Sequence, residues 1–429
     1  MTLAFGPRLL RRLYIVSLWC LMPWVLLRLL RRGQQDRAYL QRWRERFGQV
    51  ALAPAEACLW LHAVSVGEVN AAAPLVRALL EQYPKRPLLV TTTTPTGSAR
   101  ARQLFGSRVM HAYLPLDLPG VVNRFLARIR PQLAVMMETE IWPNLYLACR
   151  ERGIPLIIAN ARLSERSMRG YRWGRSLTRA ALACADFIAA QSPGDADRFR
   201  RLGASEAQLQ VTGNLKYDLD ISPQWRTQAQ DWRRAWGDRP VWIAASTHPD
   251  EEAVVIDCHR RLRQRFPELL LLWAPRHPER FAAVIEQARE AGFQVCSRKP
   301  DGEPTPATDC FVINTLGELM AYYAAANVAF VGGSLQAIGG HNLLEPASLG
   351  VPALVGPHMF NFRDVTDLLV GCGAVEPVAD ANSLALALEE LLANPDECRR
   401  RGEAGRRRIE SERGALAHTL DLVKRCLSA

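Results

Sequence analysis

The chain has 429 residues, a formal net charge of +11 and 48% hydrophobic residues; it is too long for one ordinary core, and two to three domains are expected. Residues 1–46 hold ten Arg, no Lys and two acidic residues, so most of the surplus charge sits at one end beside an apolar run. That pattern suits an anionic membrane surface and argues against a nucleic-acid groove. The ten cysteines lack any C-x-x-C spacing and the eight histidines lack H-E-x-x-H, which excludes the familiar zinc and redox motifs and reads as core thiols in a reducing compartment.

Leu13 to Leu27 carries no charge, and Arg28 can snorkel to extend the run to Leu30. Its length is marginal for a span, so a single crossing and an interfacial helix both stay open. No small-residue cleavage site follows, which argues against a signal peptide. Seven arginines after the run against three before it place the body of the protein on the cytoplasmic side.

From Cys58 onward short apolar runs alternate with helical patterns. Strands are expected at 59–64, 88–92, 133–137, 155–159 and 186–190, with amphipathic stretches such as 68–82 and 99–105 between them. A second series is expected at 241–245, 269–274, 294–296, 310–313, 328–331 and 352–355. The fold class is therefore α/β, with two doubly wound Rossmann-like domains and ligands in a cleft at the carboxyl ends of the strands. The boundaries expected are an anchor and basic collar at 1–35, a first domain at 36–220, a second at 221–405 and a C-terminal helix at 406–429 packing back across the hinge. The connector, about 216 to 236, lacks sustained periodicity, and 395–429 reads as one charged amphipathic helix.

The polar residues at strand ends carry the chemistry. Glu68, opening the helix after the first strand, fits a general base or a carboxylate that merely complements a helix dipole. Glu138 and Glu140 follow a very apolar strand, where two acids are costly unless paired or functional. The turn Thr91 to Ser98 is explained by helix capping, with ligand contact as the other reading. Arg162, Arg166, Arg169, Arg172, Arg175 and Arg179 recur at helical spacing, as a solvated basic face or a receiver for a phosphorylated acceptor. Lys216 ends the first domain and brings positive charge toward the cleft. Arg276, after a strand of the second domain, suits a phosphate or carboxylate. Asn314 to Leu319 and Gly339 to Pro346 are glycine-bearing turns opening helices, which fits a nucleotide half-site, with Glu345 placed for ribose hydroxyls. Asp218-Leu219-Asp220 lies in the connector and is not read as a metal site.

Seven segments in this order resemble the 3-deoxy-D-manno-octulosonic acid (Kdo) transferases of lipopolysaccharide synthesis, glycosyltransferases of GT-B architecture. They are Ser65 to Glu68, Thr94 to Ser98, Glu138 to Asn144, Asn160 to Ser164, Pro275 to Phe281, Leu316 to Leu319 and Gly340 to Pro346. Leu343 departs from the proline or other small residue expected there. The resemblance implies transfer of Kdo from CMP-Kdo to the lipid A precursor with inversion, without a metal or other cofactor and without nucleic acid. It makes Glu68 the catalytic base, with Glu138 and Lys216 supporting the transition state, and leaves open which acid of the Glu138/Glu140 pair is meant. Pro275, Arg276, Leu316, Gly317, Glu318, Asn342, Leu343, Leu344 and Glu345 match the CMP-binding segments. The implied location is the cytoplasmic face of a bacterial inner membrane. The rival is another GT-B enzyme, such as a UDP-sugar transferase or a UDP-GlcNAc 2-epimerase.

Overall fold

The computed structural model describes residues 5–52, 54, 56–171 and 174–428, without the side chains of Phe5 and Gln35; Arg172 of the arginine series lies outside them. Two units emerge, Met1–Asp218 with Arg413–Ala429, and Leu219–Glu412.

In the first unit seven strands pair in parallel in the order β3-β2-β1-β4-β5-β6-β7. They are β1 (Cys58–His62), β2 (Leu88–Thr92), β3 (Met110–Tyr113), β4 (Pro131–Met137), β5 (Leu156–Ala161), β6 (Phe187–Ala190) and β7 (Leu209–Val211). β1 and β2 are buried along their whole length because helices cover both faces. Alternate residues feed the two layers: Cys58 and Trp60 pack with Phe125, Tyr146 and Phe199, while Leu59 and Leu61 pack with Val76, Phe105 and Val423. Each large apolar side chain so buried contributes about 1.5–3 kcal/mol. Val423 belongs to the last helix, Ala415–Ser428, which returns to the first sheet. Asp218 fastens it by accepting the N–H groups of Gly414 and Leu416, both at 2.9 Å.

The second unit repeats the plan in the order β10-β11-β9-β8-β12-β13-β14. Its strands are β8 (Val241–Thr247), β9 (Leu270–Pro275), β10 (Val295–Ser297), β11 (Cys310–Val312), β12 (Val328–Val331), β13 (Ala353–Val355) and β14 (Val375–Pro377). One face packs Trp242, Trp273 and Phe330 against Val255, Leu262 and Leu388. Near the helix Leu319–Ala325, Tyr322 stacks on Trp232 at 4.4 Å between ring centroids.

Three strands were not expected: β3, β7 and β14. β3 contains a histidine and two half-buried positions, and β7 and β14 are three-residue edge strands with exposed positions, so none shows a long apolar run. The connector also contains a helix, Pro223–Trp236, capped by Ser222, whose buried residues are Ala229, Trp232 and Trp236. Its charged composition hid the narrow apolar stripe. The tail is two helices, Pro395–Ser411 and Ala415–Ser428, separated at Gly414, whose φ of 117° is left-handed and ends the first.

The N-terminal helix, Phe5–Gln35, is long and apolar enough over Gly6–Gln34 to cross a membrane. One stripe of it is fastened to the first unit. Arg11 Nε donates to Asn144 Oδ1 at 2.8 Å, the Tyr14 hydroxyl donates to Asp117 at 3.0 Å, and Ile15, Leu18 and Met22 pack with Leu118 and Val121. The opposite stripe, Leu9, Leu13, Val16, Trp24 and Leu27, is exposed.

Candidate active site

In each sheet the strand order reverses beside the first strand of the unit, between β1 and β4 and between β8 and β12. Ligands of such sheets bind at the carboxyl ends beside that switch point, and the candidate residues cluster there.

In the first unit Glu68 lies in the first turn of the helix Val66–Gln82 that follows β1. Its Oε2 accepts the Val64 N–H at 2.8 Å, and Ser65 Oγ lies 3.4 Å from Oε1. Burial pushes the Glu68 carboxyl up to about 8; the Val64 hydrogen bond opposes this, and the charges of Glu138 and Glu140 add to it. Glu138, directly after β4, adopts φ 57°, a left-handed conformation that a non-glycine residue holds at a cost of order 1–3 kcal/mol. Its carboxyl is raised by burial and drawn back down by Arg162 and Lys216. Glu140 is raised by burial and by Glu138, against a 2.8 Å bond from the Trp142 indole.

Lys216 sits on the 3-10 turn Leu215–Tyr217, and Asn160 aims that turn. Asn160 is buried, with φ 53°, and its Oδ1 accepts the Leu215 N–H at 3.0 Å. The sequence quoted Asn160 only as part of a motif; its bracing role needed the fold. The arginine series does not form one helical face: Arg162 follows β5, while Arg166 and Arg169 lie on Glu165–Tyr171 and Arg175 and Arg179 on Arg175–Leu182. Thr94 caps the helix Pro95–Phe105 through the Gly97 N–H.

In the second unit Pro275 ends β9, and the Arg276 N–H bonds Thr247 O at 3.0 Å. Arg276 lies close enough to His248 and His341 to depress both imidazoles, burial being the larger cause; His341 is pushed down to about 4. The two rings approach at 3.0 Å between Nε2 atoms. Gly333, at φ 66°, lets His341 in, since a Cβ there would meet its ring at 2.9 Å. Leu316 is 69% exposed on the loop after β11, Gly317 turns that loop at φ 91°, and Glu318 pairs with Arg298 at 3.0 Å. With Pro278 and Phe281, Arg298, Leu316 and Glu318 line a cavity of about 680 Å³. Asn342 holds the next turn together: its Oδ1 accepts the Leu344 N–H and its Nδ2 donates to Glu345, both at 3.1 Å. Leu343 is fully buried and Leu344 nearly so. The helices opened by the two turns are seven and six residues long, so local N–H groups, more than a summed helix dipole, face any anion there.

Sequence reasoning missed Glu251. Its carboxylate is fully buried and accepts four backbone N–H groups, from His248 and Gly333 on one oxygen and from Ser334 and Leu335 on the other, at 2.7–3.0 Å. The signal was present as Glu three residues after His248, a capping-box spacing.

Two Rossmann-like parallel sheets with polar clusters at both switch points define the GT-B architecture. A family model described as glycosyl transferases group 1 matches residues 305–408. A UDP-GlcNAc 2-epimerase from Neisseria meningitidis, solved bound to UDP-GlcNAc, shares the fold at TM-score 0.54 and 13% identity, over 86% of this chain and 100% of that one. Within the class, a model described as 3-deoxy-D-manno-octulosonic-acid transferase matches residues 41–219. The 3-deoxy-D-manno-octulosonic acid transferase of Haemophilus influenzae is 42% identical over 90% of this chain and 91% of its own. That of Bordetella pertussis is 39% identical over 96% and 99%. The chain belongs to the 3-deoxy-D-manno-octulosonic acid transferases.

Proposed function

We propose that this Kdo transferase moves Kdo from CMP-Kdo to the lipid A precursor at the cytoplasmic face of the bacterial inner membrane, with inversion at the anomeric carbon and Glu68 as general base. The observation that carries this reading is the cluster of Glu68, Glu138 and Glu140 beside Lys216 at the switch point of the first sheet. A carboxylate whose affinity for protons has been raised toward neutrality is suited to take a proton from an attacking sugar hydroxyl. Glu138, held by strained backbone and facing two cations, and Lys216, aimed by Asn160, support the charge that develops as the bond to CMP breaks.

In the second unit Arg276 is the permanent cation for the departing phosphate. Pro275, Leu316 to Glu318 and Asn342 to Glu345 hold the rest of CMP, with the Glu345 carboxylate an acceptor for ribose hydroxyls. The N-terminal helix is the membrane contact. Because its stripe from Arg11 to Met22 is committed to the first unit while the opposite stripe is bare, we read it as lying in the interface, apolar face toward the acyl chains. Holding the enzyme at the surface raises its effective concentration of lipid acceptor.

The test is to incubate the purified protein with CMP-Kdo and tetraacylated lipid A precursor, beside a Glu68→Ala variant, and weigh the products. Kdo-bearing lipid from the wild type alone supports the reading, and the mass increments count the sugars added. A wild type that binds CMP yet leaves this lipid unmodified refutes the acceptor, and an active Glu68→Ala refutes the base.

A further inference from the structure

His62 ends β1 and is completely buried. Its Nδ1 lies 3.1 Å from Thr91 O and 2.9 Å from Thr91 Oγ1, on the paired residue of β2. Thr91 Oγ1 in turn accepts the Trp60 indole N–H at 2.9 Å. The other ring nitrogen, Nε2, is buried without a partner and lies 4.0 Å from Glu140 Oε2. An orphaned polar atom in a closed core is costly. The Glu140 segment is held from the other side, by the Trp142 indole on Oε2 and by the Tyr146 hydroxyl on the backbone carbonyl at 2.5 Å.

We propose that His62 and Glu140 are a proton-holding pair that positions Glu68 for its work: a neutral His62 accepts at Nε2 a hydrogen bond from the protonated Glu140 carboxyl, so that Glu140 stands uncharged in a cluster of three carboxylates and Glu68 is free to ionise. The inference rests on the reading of Glu68 as the base. The pair uses the tautomer in which Nδ1–H donates to Thr91 O, which leaves Nε2 as an acceptor. Closing 4.0 Å to a hydrogen bond takes a shift of about 1 Å, of the kind catalytic contacts make when substrate binds. The proton stays on the carboxyl because burial opposes a cation on His62, pushing it down to about 4, and opposes an anion on Glu140.

The groups facing Glu140 agree with a neutral state. Glu138 stands beside it, Glu68 faces it from the helix after β1, and Trp142, Tyr146 and Tyr171 border it from the following helices. The nearby cations Arg162 and Lys216 act on Glu138. Three like charges in one site cannot all ionise cheaply, and a proton lodged between His62 and Glu140 relieves Glu68 in particular.

Four variants test this, His62→Gln, Glu140→Gln, the double variant and Glu68→Gln, through pH profiles of kcat/KM for Kdo transfer beside thermal melts. His62→Gln frees Glu140 to ionise and should move the acidic limb upward, with about a three- to tenfold loss near pH 6 that recovers by pH 8.5. Glu140→Gln, permanently neutral, should leave the acidic limb at its wild-type pH, and the double variant should return the limb to its place. Nitrogen-15 NMR of labelled histidine gives an independent reading: His62 should show a protonated Nδ1 and a bare Nε2. A protonated Nε2, an unmoved limb in a folded His62→Gln, or an acidic limb moved upward in Glu140→Gln overturns the pair while the base assignment survives. An active Glu68→Gln overturns the base and the pair with it.

Discussion

The Tyr14 hydroxyl, on the N-terminal helix, donates to the Asp117 carboxylate 103 positions later in the chain, at 3.0 Å. Asp117 is 3% exposed and also accepts the N–H groups of Asn144 and Leu145, at 3.0 and 2.7 Å. One buried carboxylate thereby ties the apolar helix to the start of the helix Pro143–Glu151, immediately after the Glu138 and Glu140 turn.

Tyr14→Phe removes one bond of three and should cost about 1 kcal/mol, whereas Asp117→Ala strands two buried N–H groups and should cost about 3 kcal/mol or more. Urea or thermal unfolding in detergent checks the ranking. Equal effects would mean that the helix is not docked through Asp117 in solution.

The bare stripe of the same helix gives a separate expectation. Val16 and Leu27 are 57% and 47% exposed, so Val16→Glu with Leu27→Glu should leave the melt in detergent nearly unchanged and abolish flotation with anionic phospholipid vesicles. Each glutamate would place a charge where acyl chains are expected, a penalty of roughly 2–3 kcal/mol toward the membrane centre and less at its surface. Vesicle binding that survives both changes would remove this face from the membrane contact.

Glu68 sets a stability cost with a definite sign. Its carboxyl is raised from the ordinary 4.5 to about 8, so the folded state binds its proton more tightly than the unfolded chain does. Stability is therefore complete below the unfolded value near pH 4.5 and is lost progressively as pH rises to about 8. Glu68→Gln should melt above wild type at pH 8 by about 1–3 kcal/mol, a figure discounted for partial exposure, with little difference at pH 4.5. The same variant should lose about a thousandfold in transfer rate. A melting advantage that does not grow with pH would refute the raised carboxyl.

Glu251 is the structural counterpart in the second unit. Glu251→Ala would leave the N–H groups of His248, Gly333, Ser334 and Leu335 unanswered in a buried turn and should destabilise this unit by about 3–5 kcal/mol, weakening CMP binding through the displaced His248 and Gly333 loops. Glu251→Gln, able to accept at one oxygen, should fall between. Calorimetry of the variants with and without CMP distinguishes a local loss from global unfolding.

The candidate residues were legible because polar groups at strand ends interrupt long apolar runs, as Glu68 does after Cys58–His62 and Arg276 after Leu270–Pro275. Glu68 and Glu138 were grouped through the family resemblance and not through spacing: 70 positions separate them, and the pairing of β1 with β4 brings their strand ends side by side. Asn160 and Glu251 look like ordinary polar residues in the sequence, and their hydrogen bonds to Leu215 and to the Gly333 loop depend on segments far along the chain.

What the sequence by itself determined is the periodic alternation of buried strands and amphipathic helices, and with it two parallel sheets, since apolar runs of that length are stable only when covered on both faces. It also determined the apolar N-terminal helix and the residue types available for proton transfer and phosphate binding. The tertiary structure decided which of these meet and in what charge state. The same carboxylate types act as a raised acid at Glu68, a loop clamp at Glu251 and a helix fastener at Asp117, because burial, neighbouring charge and the supply of N–H donors are fixed by packing between distant segments.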